Sequence, residues 1–263
     1  MVNRPASSQG KRARPLQRDM LKAELTAQGA WLYRHRSYLP LPLITALLVS
    51  VSVRDASLAE SPLLWDVAAL VLGPLGLVIR AYTLGHAPPF TSGGNLRVQA
   101  ASSLNRTGMY SVVRHPLYLG NLMLWLGVSF LGQSLWISIA AVAAFGLVYE
   151  RIMLVEEQYL EREFPDSFRD WASQTPALVP RVANWAPPVE SFAWRRILRR
   201  EYNALAAFGS LFVALITLRT WVQTGEAHLT SLTGGVLAVV AIVAVTCLYI
   251  KKRTAWLESR ESS

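Results

Sequence analysis

Apolar residues come in long runs separated by short polar breaks, so the first expectation is a bundle of membrane-spanning helices. A helix that crosses a bilayer needs about 20 mostly apolar residues. The sequence offers about six such runs by that measure: Tyr38–Val53, Leu63–Leu84, Leu117–Leu131, Leu135 to about Met153, Tyr202–Val222 and Gly234–Ile250. The third is short, and with the fourth it forms a helical hairpin around the turn Gly132-Gln133-Ser134. The fourth leaves the membrane as a charged helix running to Phe164. No alternating strand pattern is evident, so the expected fold class is all-α, a polytopic membrane protein.

Polar residues inside these runs carry information. Asp66 and Arg80 interrupt the second span near its two ends. Arg80 is read first as a charge that snorkels to the interface; a contact with a substrate anion is the alternative. Before the first span, residues 1–36 form a basic arm. Gln17–Tyr33 is either an amphipathic helix on the membrane, resting on Leu21, Leu25 and Trp31, or a solvated tail that sets orientation. His86–Thr107, with Pro88, Pro89, Gly93 and Gly94, is long enough to be a functional loop. These divisions give an arm (1–36), a core (37–182), a basic interfacial linker (183–200), a terminal hairpin (201–253) and a polar tail (254–263).

Composition agrees with the pattern. The chain is 52% hydrophobic and 16% charged, with a formal net charge of +9. Nucleic acid is not needed to explain the excess, because basic residues collect at the cytoplasmic ends of spans. The arm, the 86–116 loop, the 151–200 segment and the C-terminus are the Lys- and Arg-rich segments; the segments 54–62, 132–134 and 223–233 hold a single Arg among them. An even number of spans with both termini cytoplasmic puts all the basic segments on one side. The cluster Arg195, Arg196, Arg199 and Arg200 is read as part of that pattern. The expected location is a bacterial inner membrane, and no cleavable signal peptide is expected. One cysteine, Cys247, allows no intramolecular disulfide. His35, His86, His115 and His228 lack ligand spacing, so no metal site is expected.

The densest chemistry lies in Leu104–Gly120, LNRTGMYSVVRHPLYLG. Gly108 permits a turn. Arg114 and His115 precede Pro116, a residue well suited to the first turn of a helix, so the Arg-His pair sits at a helix mouth. His115 and Tyr118 are three apart and share a helix face. A second block, Glu150–Pro180, runs from an apolar helix into Glu156 and Glu157. The pattern G-x-Y-x-x-x-R-H-P-x-Y-x-G, then E-E-x-x-L-x-x-x-F-P-x-x-F and a terminal L-x-P, resembles the isoprenylcysteine carboxyl methyltransferase and phospholipid methyltransferase family of integral membrane enzymes. The likeness covers roughly residues 65–180.

That resemblance implies S-adenosyl-L-methionine as cofactor and a lipid or lipidated acceptor as partner: an isoprenylcysteine-like carboxylate, a phospholipid amine or a lipid phosphate. It implies a cofactor pocket lined by Leu104, Asn105, Tyr110, His115, Pro116, Leu117 and Tyr118, with Asn95 and Glu156 contributing, and catalytic candidates Arg114, Arg151, Glu156 and Glu157. The residue types suit the chemistry. Tyrosine faces attract a sulfonium, a helix start favours a carboxylate, and a glutamate holds an amino group or ribose hydroxyls. An anionic acceptor needs alignment and desolvation alone. An amine or thiol must lose a proton, which makes His115 or a glutamate the base. A small-thiol methyltransferase, a membrane reductase like the sterol reductases, and a non-catalytic membrane scaffold are the alternatives.

Overall fold

The computed structural model describes residues 13–53, 62–88, 103–226 and 231–253, and everything said of the structure concerns those residues. They are helical throughout their regular parts, with no strand. The order is α1 (Ala13–His35), α2 (Pro40–Val53), α3 (Pro62–Gly85), α4 (Met109–Val112), α5 (Pro116–Phe130), α6 (Leu135–Glu163), α7 (Pro165–Gln174), a 3₁₀ turn (Val182–Asn184), α8 (Trp194–Thr224) and α9 (Ser231–Arg253). The expected all-α membrane architecture is found. Leu63–Gly85, Leu135–Glu163 and Arg200–Thr224 are long and apolar enough to cross a membrane. Pro40–Ser52, Pro116–Phe130 and Thr233–Thr246 are shorter apolar helices.

The exterior is greasy and the interior carries polar links, the reverse of a soluble bundle. Leu64, Val71 and Val78 form one exposed stripe on α3, and Trp136, Leu147, Ile242 and Val245 are exposed on α6 and α9. Lipid is the solvent that tolerates such surfaces. Within lipid, helices gain most from close backbone approach at small residues. Helices α3 and α5 use this device: a Cβ on Gly76 would lie 2.5 Å from the Gly120 carbonyl oxygen, and one on Gly127 would lie 2.8 Å from Gly73 N.

Helix α8 joins the same core. Leu47, Ala69, Leu131, Phe212 and Leu215 from α2, α3, the end of α5 and α8 are fully buried together. Two ion pairs clamp α8 antiparallel to α3. Arg219 bonds Asp66 at 2.9 and 2.6 Å, and Arg80 bonds Glu201 at 2.8 and 2.7 Å. Arg80 therefore does not snorkel outward: its guanidinium is held between helices. The physical reason is the bidentate fit of guanidinium to carboxylate, which satisfies charge and donors at once.

The basic arm is helical, as one of its two readings has it, and the fold adds a contact that neither reading gave. Helix α1 is not a solvated tail; it packs along α6. Gly29 lets it touch the backbone at Arg151, Thr26 and Gln158 exchange hydrogen bonds, and Arg151 Nε donates to Gln28 Oε1 at 2.9 Å. Leu21 and Trp31 stay exposed, while Tyr33 is buried against Tyr118, Phe145 and Tyr149. Two small or aromatic positions four apart, Gly29 and Tyr33, make this face, which a search for a broad apolar stripe overlooks.

Candidate active site

The Arg-His-Pro segment is fastened on both sides by backbone bonds. Gly108 takes φ 60°, a conformation that suits glycine, and its N–H bonds the Ala186 carbonyl at 2.9 Å. Arg114 N donates to Pro176 O at 2.8 Å, His115 N to Ala177 O at 3.1 Å, and Arg181 N to Val112 O at 2.8 Å. Leu178 packs on Val112 and Val113. The L-x-P end of the second block is thus the clip that holds the first block's helix mouth. Pro116 opens α5, and His115 is its N-cap residue without a side-chain cap bond. Its ring is released for other partners.

Those partners are the paired acids of α6. His115 Nε2 lies 2.9 Å from Glu157 Oε1, and Nδ1 lies 3.5 Å from Glu156 Oε2. Tyr118 OH donates to Glu156 Oε1 at 2.7 Å, and its ring stacks on His115 at 5.5 Å and 17°. Arg114 Nε donates to Glu157 Oε1 at 2.8 Å, while Nη1 donates to the carbonyls of Ala172 and Thr175. His115 is only 7% exposed. Burial opposes its protonation, but the bonds and charges of Glu156 and Glu157 outweigh burial and hold its pKa above the ordinary value. A carboxylate oxygen thus stands near each ring nitrogen. Burial, reinforced by Glu156, raises the Tyr110 phenol.

These residues line a cavity of about 220 Å³. Leu104, Asn105, Tyr110, Arg114, His115, Pro116, Leu117, Tyr118 and Glu156 all reach its wall. Glu157 stands behind His115 and Arg114 and does not line it. Asn95 falls outside the described residues.

Residues 67–167 match the family model described as phospholipid methyltransferase. This segment is similar to that family. Two curated proteins are similar to the chain. A nickel-cobalt-cadmium resistance protein of Alcaligenes xylosoxydans xylosoxydans is 28% identical over 59% of this chain and 68% of its own length. A cobalt-zinc-cadmium resistance protein of Cupriavidus metallidurans is 33% identical over 50% of this chain and 59% of its own length. No solved structure matches the chain at a significant level.

The matched segment supplies most of the cavity wall, but not all of it. Tyr33 and Arg36 come from the arm, and Trp171 from α7; all three lie outside the matched residues. Trp171 Nε1 donates to the Tyr110 carbonyl at 2.9 Å. Inside the segment, Arg80 and Asn121 also reach the wall, bonded to each other at 2.6 Å. Motif reading missed Tyr33, Arg36, Asn121 and Trp171. Only Arg80 carried a signal, as an ionisable residue within a span.

Arg151 requires a correction. It was named among the catalytic candidates, and the fold turns it outward. It bonds Gln28 and the Leu147 carbonyl on the α1 side of α6 and lines a shallow outer groove with Trp31. The reason is helical phase: Arg151 is five residues before Glu156, about 140° round the helix from it at 3.6 residues per turn.

Proposed function

We propose that the chain is an integral membrane methyltransferase that uses S-adenosyl-L-methionine and modifies a lipid or lipidated acceptor. One observation carries this reading: Tyr118, Glu156 and His115 converge on a single cavity within the phospholipid methyltransferase segment. The donor set suits the cofactor. Tyr110 and Tyr118 give aromatic faces for adenine or sulfonium, Glu156 gives a carboxylate for the amino group or ribose, and Asn105 adds an amide. When bound, S-adenosyl-L-methionine supplies an electrophilic methyl carbon, whose bond to sulfur breaks as the acceptor's nucleophile attacks, leaving a neutral thioether.

The chain's own residues orient and desolvate. Glu157 holds both Arg114 and His115, so the helix mouth keeps its shape without ligand. His115, bonded at Nε2 to Glu157 and flanked at Nδ1 by Glu156, is held in place on the cavity wall. Helix α5 spans 15 residues, about 22 Å at 1.5 Å per residue, less than the roughly 30 Å hydrocarbon thickness. A short helix of this kind brings its polar mouth to a depth that membrane acceptors reach. The positive-inside pattern supports a cytoplasmic cavity mouth, with both termini on that side of a bacterial inner membrane.

The test uses the full chain purified in detergent. Calorimetry with S-adenosylhomocysteine reads binding, and labelled methyl transfer into total membrane lipid reads activity. Saturable binding with label entering a lipid fraction is expected. Binding of a reduced nicotinamide cofactor, with none of S-adenosylhomocysteine, would overturn the reading in favour of a reductase.

A further inference from the structure

A chain of polar side chains links four helices beside the cavity. Arg80 of α3 donates to both carboxylate oxygens of Glu201 on α8 at 2.8 and 2.7 Å. Its Nη1 donates to Asn121 Oδ1 on α5 at 2.6 Å. Asn121 Nδ2 donates in turn to Tyr149 OH on α6 at 3.1 Å. A guanidinium has donors and no acceptor, so it fixes the amide: Oδ1 faces Arg80 and the NH₂ group faces Tyr149. Arg80 and Asn121 both line the cavity, while Glu201 and Tyr149 hold them from outside it.

Depth sets these two residues apart from the helix mouth. Gly76 meets Gly120 and Gly73 meets Gly127, so α3 and α5 run antiparallel. Arg80 lies five residues before the end of α3 at Gly85, and Asn121 lies five residues after Pro116 opens α5. At 1.5 Å per residue, each is about 7.5 Å further along its helix into the membrane than the mouth. Clamping of helices does not account for this placement. Arg219 and Asp66 already join α3 to α8 by a bidentate pair, and that pair does not line the cavity. Arg80 adds a bond to a third helix and a face on the cavity. An ionisable side chain within a span that faces a cavity marks a ligand path.

We infer that Arg80 and Asn121 form the headgroup subsite for the acceptor, which binds the phosphate or carboxylate oxygens of a lipid. The inference rests on the reading above, in which the methyl donor enters from water at the mouth and the acceptor comes from the bilayer. A guanidinium carries five N–H donors. Glu201 and Asn121 take three of them, which leaves one on each Nη. With the second N–H of Asn121, this end of the cavity offers donors, which suit oxygen atoms and not an ammonium group. Glu201 balances the charge of Arg80, so recognition comes from the direction of the donors and not from a surplus of positive charge.

The experiment uses the full chain in detergent and two variants. Arg80→Glu combined with Glu201→Arg keeps an ion pair between α3 and α8 but puts a carboxylate on the cavity wall. Asn121→Leu leaves the Arg80–Glu201 pair intact. Unfolding midpoints check that each variant is folded, and Asn121→Leu decides alone if the double substitution does not fold. Calorimetry titrates dodecyl phosphate, dodecyltrimethylammonium as the cationic control, and S-adenosylhomocysteine. The wild type is expected to bind the phosphate more tightly than the ammonium. Both variants are expected to lose about tenfold or more in dodecyl phosphate affinity, the scale of a charge-assisted hydrogen bond, and to bind S-adenosylhomocysteine as the wild type does. Wild-type phosphate affinity in a folded variant, or no preference of the wild type for the phosphate, overturns the subsite. Equal weakening of phosphate and S-adenosylhomocysteine also overturns it, because the donors would then serve the cofactor. Phosphate binding that depends on Asn121, in a chain that never binds S-adenosylhomocysteine, would sink the methyltransferase reading and leave the oxygen-binding subsite standing.

Discussion

Arg80 and Glu201 are joined by two N–H···O bonds of 2.8 and 2.7 Å across 121 residues of chain. The pair fastens α8, which lies outside the family segment, to the cavity wall on α3. Their side chains are 19% and 8% exposed, so removing one partner leaves a largely buried charge. Glu201→Gln is expected to cost about 3 kcal/mol of stability, in the range for a broken buried pair. Thermal unfolding in detergent measures it. Arg80→Gln combined with Glu201→Gln is expected to cost less than the single substitutions added together. Additive losses would mean that the two residues act independently.

Backbone contact between α3 and α5 predicts a sharp size limit. A Cβ on Gly120 would lie 2.5 Å from Arg80 Cγ and 2.8 Å from the Gly76 carbonyl oxygen. Gly120→Leu is expected to separate the helices and cost more than about 2 kcal/mol through overpacking. The readout is loss of the monodisperse peak on size exclusion and a lower unfolding midpoint. A wild-type midpoint would show that α5 does not need this contact.

The clamp on His115 predicts a pH dependence with a defined sign. Its pKa is raised on folding, so the folded state binds the proton more tightly than the unfolded state does. The stabilisation is complete below the unfolded value of about 6.5 and disappears as pH rises through the higher folded value. The stability difference between wild type and His115→Gln is therefore expected to shrink as pH is raised above neutrality. Unfolding midpoints measured across that range check it, and a difference that grows with pH would reverse the assignment.

Position relative to the cavity separates three residues of the second block. Glu156 lines the wall, Glu157 braces it from behind, and Arg151 lies outside. Glu156→Gln and Tyr118→Phe are each expected to weaken S-adenosylhomocysteine binding about tenfold, the scale of one charge-assisted hydrogen bond. Arg151→Gln is expected to bind as the wild type does. Calorimetry on the folded variants decides, and a large loss in Arg151→Gln alone would move the site to the outer groove.

Spans were legible because lipid imposes its requirement locally: about 20 apolar residues in a row mark a helix whatever its neighbours do. The apolar runs from Leu63, Leu135 and Tyr202 fall within α3, α6 and α8. The helix mouth at Arg114-His115-Pro116 was legible too, because proline and its neighbours act over one turn. Ion-pair partners were not. Arg80 looked like an interfacial charge because Glu201 is remote in sequence, and no local pattern encodes that meeting.

Sequence alone thus determined an all-α membrane chain with an Arg-His-Pro mouth and a pair of acids on a later helix, since each depends on residues within a turn or two. Only the tertiary structure decided that His115 stands between both acids, that Arg151 faces away, and that Tyr33 and Arg36 of the arm complete the wall. Those outcomes depend on helix phase and on the packing of α1 against α6, where Gly29 and Tyr33 act on contacts far along the chain.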